Sequence, residues 1–239
     1  SNTGGIGVGY GVPVSEDHSL NFGLAYERIE LQVSPTIGSQ VAKDFVAQNG
    51  ESNSVFKTTL GWARDTLDNP LFPNSGTQQR VSLEASVPGA DLEYYRLSYT
   101  ASAFIPLSKA LTYKIKGTWD YGDGYGDTQG LPFYKNFFAG GSNSVRGFRA
   151  RSLGPKDSMC VPTTTILCDP TLPIGGNKRF LANTELLFPF PGAAENKSMR
   201  LSVFVDAGMV YGPDQNVDLG VLRYSTGIAF NWFSPIGPI

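Results

Sequence analysis

The sequence predicts an all-β protein, an antiparallel sheet rolled into a membrane-spanning β-barrel, and three observations carry that expectation. Side-chain character alternates with a period of two along nearly every run, whereas helical periodicity is almost nowhere found. No stretch approaches the roughly 20 consecutive apolar residues that a spanning helix needs, which excludes helical insertion and leaves insertion by strands open. Short turns alternate with longer connections, two of them very long, as in outer-membrane barrels.

The strands are expected near 3–14, 18–31, 53–67, 76–88, 93–106, 110–124, 179–190, 199–212 and 220–233. In the first, Gly5, Gly7, Gly9 and Gly11 share one face, with Ile6, Val8, Tyr10 and Val12 on the other. In the third, Phe56, Leu60 and Trp62 oppose Lys57, Thr59, Gly61 and Asp65. The fifth sets Tyr95, Leu97, Tyr99, Ala101 and Ala103 against Arg96, Ser98, Thr100 and Ser102. The sixth sets Leu111, Tyr113, Ile115 and Trp119 against Thr112, Lys114, Lys116, Thr118 and Asp120. Towards the end, Leu201, Val203, Val205, Ala207 and Met209 oppose Ser202, Asp206 and Gly208, and Leu222, Tyr224, Ile228, Phe230 and Trp232 oppose Arg223, Ser225, Gly227 and Asn231. Turns fall around 13–17, 68–75, 106–109, 191–197 and 234–238, and the other connections at 32–52, 88–92, 125–178 and 213–219.

A soluble β-sandwich also alternates. It turns its charges to water and its apolar face to the core, whereas here Lys114, Lys116, Glu185 and Asp206 stand in mid-strand opposite an evenly apolar and aromatic face. Aromatic residues near strand ends, among them Tyr10, Tyr26, Tyr121, Phe188, Tyr211, Trp232 and Phe233, suit interfacial girdles.

At 239 residues the chain has the size of one all-β domain. A formal net charge of −2 gives no reason to expect a nucleic-acid partner or an electrostatically bound membrane surface. The start, Ser1-Asn2-Thr3-Gly4-Gly5, lacks the pattern of a signal peptide, so the chain reads as mature or as an internal piece. Cys160 and Cys168 lie close together in a Pro/Thr-rich stretch and read as a loop disulfide in an oxidising compartment. With His18 the only histidine, no zinc site, other metal or cofactor is expected.

One segment stands out, Phe138-Ala139-Gly140-Gly141-Ser142-Asn143-Ser144-Val145-Arg146-Gly147-Phe148, which sets a glycine turn against a single cation within a long irregular stretch. The glycines permit positive φ and close backbone approach, and a guanidinium removed from water demands a carboxylate. An inward-folding plug with acidic partners on inner faces is expected, not a catalytic pocket. Other patterns carry less. Gly5-x-Gly7-x-Gly9 lacks dinucleotide spacing and a following helix, and Gly122-Asp123-Gly124-Tyr125-Gly126 lacks the Lys-Ser/Thr of a phosphate loop. Asp123 and Asp127 lack regular calcium-ligand spacing. His18, at a turn and without a serine or cysteine partner, reads as solvated, and no catalytic residue is expected.

The run from Asp65 through Pro70, Phe72-Pro73 and Gly76, Tyr94-Tyr95, Pro132-Phe133-Tyr134, Phe138-Ala139-Gly140-Gly141, Val145-Arg146-Gly147-Phe148, Phe204-Val205-Asp206-Ala207-Gly208 and Trp232-Phe233-Ser234-Pro235-Ile236-Gly237-Pro238 resembles the C-terminal barrel of the BamA family of outer-membrane-protein assembly insertases. The resemblance extends over essentially the whole chain. It implies a bacterial outer-membrane protein, no enzyme, whose partners are unfolded β-barrel precursors, accessory lipoproteins of the assembly complex and membrane lipids. It also implies that Arg146, in the extracellular loop 125–178, meets Glu185 and Asp206 inside the barrel. The family barrel has sixteen strands after periplasmic repeat domains. The nine strands here therefore correspond to its middle and later part, without the repeats or the opening seam, and are expected to be a piece that does not insert substrates alone. A translocation barrel of the two-partner secretion or TamA type, a secretion pore and an outer-membrane barrel enzyme are the alternatives. The lone histidine argues against a histidine-based triad.

Overall fold

A computed structural model describes residues 2–34, 39–157, 169–190, 199–234 and 237–238. Cys160 and Cys168, and with them the expected disulfide, lie outside the described residues. The described chain forms one antiparallel meander in which every strand pairs with its neighbours in sequence: β1 (Asn2–Pro13), β2 (His18–Glu30), β3 (Ser52–Asp65), β4 (Gly76–Ser86), β5 (Tyr94–Pro106), β6 (Thr112–Gly124), β7 (Lys178–Pro189), β8 (Met199–Tyr211), β9 (Arg223–Ser234) and a two-residue β10 (Gly237–Pro238). The nine long strands lie within a few residues of their expected positions. β10, which folds back on Ser234 and Phe233, occupies what was expected to be a turn.

The two faces separate as the alternation requires. Ile6, Val8, Tyr10, Leu20, Phe22, Leu24, Phe56, Leu60, Ile115, Val203, Val205 and Ile228 stand exposed on the outer face, Ile6 at 78% and Ile228 at 75%. In water such a continuous apolar band would be a severe liability, but against hydrocarbon it is the required surface. The inner face buries polar side chains instead: Thr118, Asp120, Glu185, Ser202 and Asp206. The sheet is rolled, because Arg200 on β8 donates to the carbonyls of Phe72 and Pro73, both at 2.8 Å, in the turn between β3 and β4.

That turn is built by the side-chain oxygens of Asp68 and Asn69. Asp68 Oδ1 accepts the amides of Asn74 (2.9 Å) and Ser75 (3.1 Å), and Asn69 Oδ1 those of Leu71 and Phe72 (both 2.9 Å). Burial works against the charge on Asp68, but the bonds from Ser75 and Asn74 together outweigh it and hold the carboxyl below its ordinary range. Gly76 closes the turn at φ 105°, where a Cβ would lie 2.2 Å from the Thr66 carbonyl.

Besides β10, the structure departs from expectation in three places. The connection 32–52 holds a helix, α1 (Gln40–Asn49), capped by Ser39, whose Oγ accepts the Ala42 amide at 3.4 Å. Its Phe45 meets Phe133 (5.4 Å between ring centres) and Tyr134 (5.8 Å), so α1 lies over the beginning of the long loop. Tyr211 is no girdle residue: it is buried, and its hydroxyl donates to the Asp218 carbonyl at 2.6 Å, under the connection to β9. His18 begins β2 and is not simply solvated, since its Nδ1 accepts from Trp62 Nε1 at 3.2 Å.

Candidate functional site

The long connection between β6 and β7 does not leave the sheet. Its described parts, 125–157 and 169–177, fold onto the inner face in two portions, each with its own small core. In the first, Leu131 and Tyr134 pack with Phe45 against Val55, Leu92 and Tyr94 of the β3–β5 side. In the second, the chain doubles back so that Leu153 N donates to the Ala139 carbonyl (3.1 Å) and Gly141 N to the Phe148 carbonyl (3.0 Å). Gly140 (φ 102°) and Gly141 (φ 97°) make this reversal, and a Cβ on Gly140 would sit 2.4 Å from the Arg149 carbonyl. Val145, at the tip, is fully buried with Ala139, Leu153, Leu181 and Val210, and Phe148 packs at the edge. Gly208 makes room for this seating: a Cβ there would meet Leu181 Cδ2 at 2.5 Å and Val145 Cγ2 at 2.9 Å. Gly147 has φ 81° and faces β9 at Ser225.

The seating carries Arg146 to the wall. Its Nε donates to Asp206 Oδ2 and its Nη2 to Asp206 Oδ1, both at 2.7 Å, while its backbone amide reaches Oδ2 at 3.0 Å. Glu185 Oε1 lies 3.3 Å from Nη2 and is shared with Lys114 Nζ at 3.0 Å. Asn183, beside Asp206 on the next strand, donates to Asp206 Oδ1 (2.9 Å) and to the Ser144 carbonyl (2.6 Å). The guanidinium also lies over the Phe204 ring, with Cζ 3.7 Å from its centre. Burial works against the charge on Arg146, but the bond to Asp206 and the field of Glu185 outweigh it and hold its pKa above the ordinary value. A two-pronged arginine–carboxylate bond fixes direction as well as distance, which lysine does not reproduce.

Two further fastenings had no expectation behind them. Lys135, on the short 3-10 turn Phe133–Lys135, reaches Glu84 Oε1 at 3.0 Å and Glu27 Oε2 at 3.6 Å. Lys57 pairs with the same two acids, and the Tyr94 hydroxyl donates to Glu84 at 3.0 Å. Burial, then the fields of Glu27 and Glu84, pushes the neighbouring Tyr134 phenol above its ordinary range. The third lies between: Arg179 on β7 holds Asp120 at 2.7 Å and donates to the Phe138 carbonyl at 2.8 Å. Strand parity did mark Lys57 and Asp120 as lying on the polar face, while Glu84, on β4, had no expectation behind it. Nothing local in the loop marks Lys135 as facing them. Among the described residues no group of metal-ligating side chains is found.

A rolled antiparallel sheet with an apolar outer band, charges on its inner face and a long loop seated against those charges defines an outer-membrane β-barrel. Residues 1–239 match the Omp85 superfamily domain over the whole chain, and the chain belongs to that superfamily. It is 34% identical over 273 residues to the outer membrane protein assembly factor BamA of Neisseria meningitidis serogroup B, covering 100% of this chain and 33% of that one. To the assembly factor BamA of Nitratidesulfovibrio vulgaris it is 25% identical over 243 residues, 100% of this chain and 28% of the relative. A SAM50-like protein of Schizosaccharomyces pombe is 26% identical over 165 residues, 66% of this chain and 32% of its own. The crystal structure of BamA from Haemophilus ducreyi lacking POTRA domains 1–3 superposes with a TM-score of 0.84 at 29% identity, over 99% of this chain and 49% of that one. The chain thus spans about a third of the length of these curated relatives.

Proposed function

We propose that this chain is the barrel portion of an outer-membrane insertase that folds β-barrel precursors and releases them into the bilayer. The observation that carries the reading is the match of the whole chain to proteins named as assembly factors. On this reading its partners are unfolded precursors, membrane lipids and, through the full-length protein, accessory lipoproteins of the assembly complex. Burial of lipid-facing side chains and pairing of precursor backbone provide the driving force, so no nucleotide or cofactor enters.

The strands here form the stiff back of the barrel, and precursor strands are received at a seam formed elsewhere in the protein. The role of Val145, Arg146, Gly147 and Phe148 is to lock the extracellular loop 125–178 against Glu185 and Asp206, and the sequence adds a Cys160–Cys168 staple to that loop. The support is the bidentate bond of Arg146 to a fully buried carboxylate. The test is Arg146→Ala in the full-length protein, scored for resistance to heat unfolding and for assembly of a reporter barrel in proteoliposomes. Loss of both is expected, and a variant normal in both would refute the locking role.

A further inference from the structure

We infer that the cavity beneath the loop tip binds a small organic carboxylate carried on an aromatic body. The cavity measures about 470 Å³, within the size range of small-ligand sites. Four cationic side chains line it, Lys114, Lys116, Arg146 and Arg200, with the carboxylate Glu185; Asp206 already neutralises Arg146, so Lys116 and Arg200 are the two cations without an acid partner among the described residues. Glu185 is already divided between Lys114 and Arg146. Arg200 spends its guanidinium on neutral acceptors only, the carbonyls of Phe72 and Pro73 and Asn74 Oδ1 at 3.0 Å. Lys116, half-buried in the middle of β6, has no hydrogen bond or ion pair among the described residues. Clustered cations shielded from bulk water repel one another, and a bound anion relieves that repulsion.

The rest of the lining selects the kind of anion. Phe72, Phe104 and Trp232 present aromatic surface to the same space. Phe72 lies under Arg200 and Phe104 under Lys114, so rings and cations stand side by side; a bare inorganic ion makes no use of the aromatic surface, whereas an acid on an aromatic body meets both. Lys116 is flanked on β6 by the outward, 47% exposed Ile115, so the cavity opens on the side away from lipid. The ligand therefore arrives through the barrel interior, either as a free acid or as an acidic side chain beside an aromatic one in a peptide. The inference stands on these charges and does not depend on the assembly role.

The test is calorimetric titration of the full-length protein in detergent micelles at fixed ionic strength. Its probes are phenylacetate, acetyl-Asp-Phe-amide, their neutral counterparts phenylacetamide and acetyl-Asn-Phe-amide, and inorganic phosphate. At least one of the two carboxylates is expected to bind at least about tenfold tighter than its neutral counterpart, and Lys116→Gln to loosen it by about tenfold, the loss of one charge-assisted bond. Preference for the peptide identifies a peptide source, and preference for phenylacetate a free acid. Equal binding of charged and neutral probes, phosphate binding as tightly as the carboxylates, or affinity unchanged in Lys116→Gln would overturn the assignment. So would a fall in the heat stability of ligand-free Lys116→Gln, because it would mean that this ammonium already serves the fold.

Discussion

Arg146 and Lys135 each carry a cation from the same loop to carboxylates on the inner wall, yet the two contacts differ in kind. Arg146 grips one acid, Asp206, with two side-chain bonds and its own amide, and that acid is 0% exposed. Lys135 joins a shared cluster in which Glu27 and Glu84 each also serve Lys57, and those two acids keep 21% and 18% of their side-chain surface. The first contact specifies an orientation; the second specifies only that positive charge be near. One loop thus combines a rigid tip with an adjustable root, the β7–β8 wall holding the former and the β2–β4 wall the latter.

The contrast can be broken most severely at Asp206. Asp206→Ala leaves a guanidinium without its partner in a shielded site and is expected to lower stability by about 3–5 kcal/mol, read as a fall in the temperature at which the full-length barrel loses its compact migration on semi-native gels. Arg146→Lys keeps the charge but loses the fork. About 2 kcal/mol should go, the share of charge-assisted bonds that a lysine does not remake; wild-type heat stability in this variant would show that orientation is irrelevant. The corresponding change at the other contact, Lys135→Arg, should be nearly neutral in the same assay, because the cluster accepts any cation. Salt separates the two without mutation. At 1 M salt the screening length falls to about 3 Å, so protease should cut the 125–135 segment faster while the 139–153 hairpin stays protected. The smallest effect is expected at Asp68, remote from both contacts. Its carboxyl is held below its unfolded-state value, so its contribution is present above that value and lost as pH falls through the lower, folded one. Acid titration of Asp68→Asn against wild type, followed by proteolysis at the 66–75 turn, should show the difference only at that acidic end.

The strands were legible because a membrane barrel writes both of its surfaces into the chain. In β6, Ile115 and Trp119 face out while Lys114, Lys116 and Asp120 face in, and no tertiary knowledge is needed to read that parity. The acids opposite Arg146 follow from the same parity combined with the family resemblance. Phe204 was overlooked because an aromatic residue on a polar face breaks the pattern, although it lies directly beneath the guanidinium. The helix α1 lies in 32–52, read only as a connection between strands, though Ser39, the Val41–Phe45 and Ala42–Val46 spacings and Gly50 together spell a capped helix. Lys135 was not legible at all. Its role depends on where a loop comes to rest, which neither alternation nor local turn chemistry encodes.

The bonds of Arg200 have a consequence in time as well as in space. Every strand pairing joins neighbours in sequence, so the meander can zip from hairpin to hairpin with short loops to close. Arg200, by contrast, ties β8 to carbonyls 127 and 128 positions earlier, and Arg146 waits for an acid 60 positions later. Neither tie can form until β8 exists. The root of the loop can settle on β2–β5 as soon as those strands stand, but its tip is locked only after β8 has been laid down, as a keystone is set only after both sides of the arch are standing.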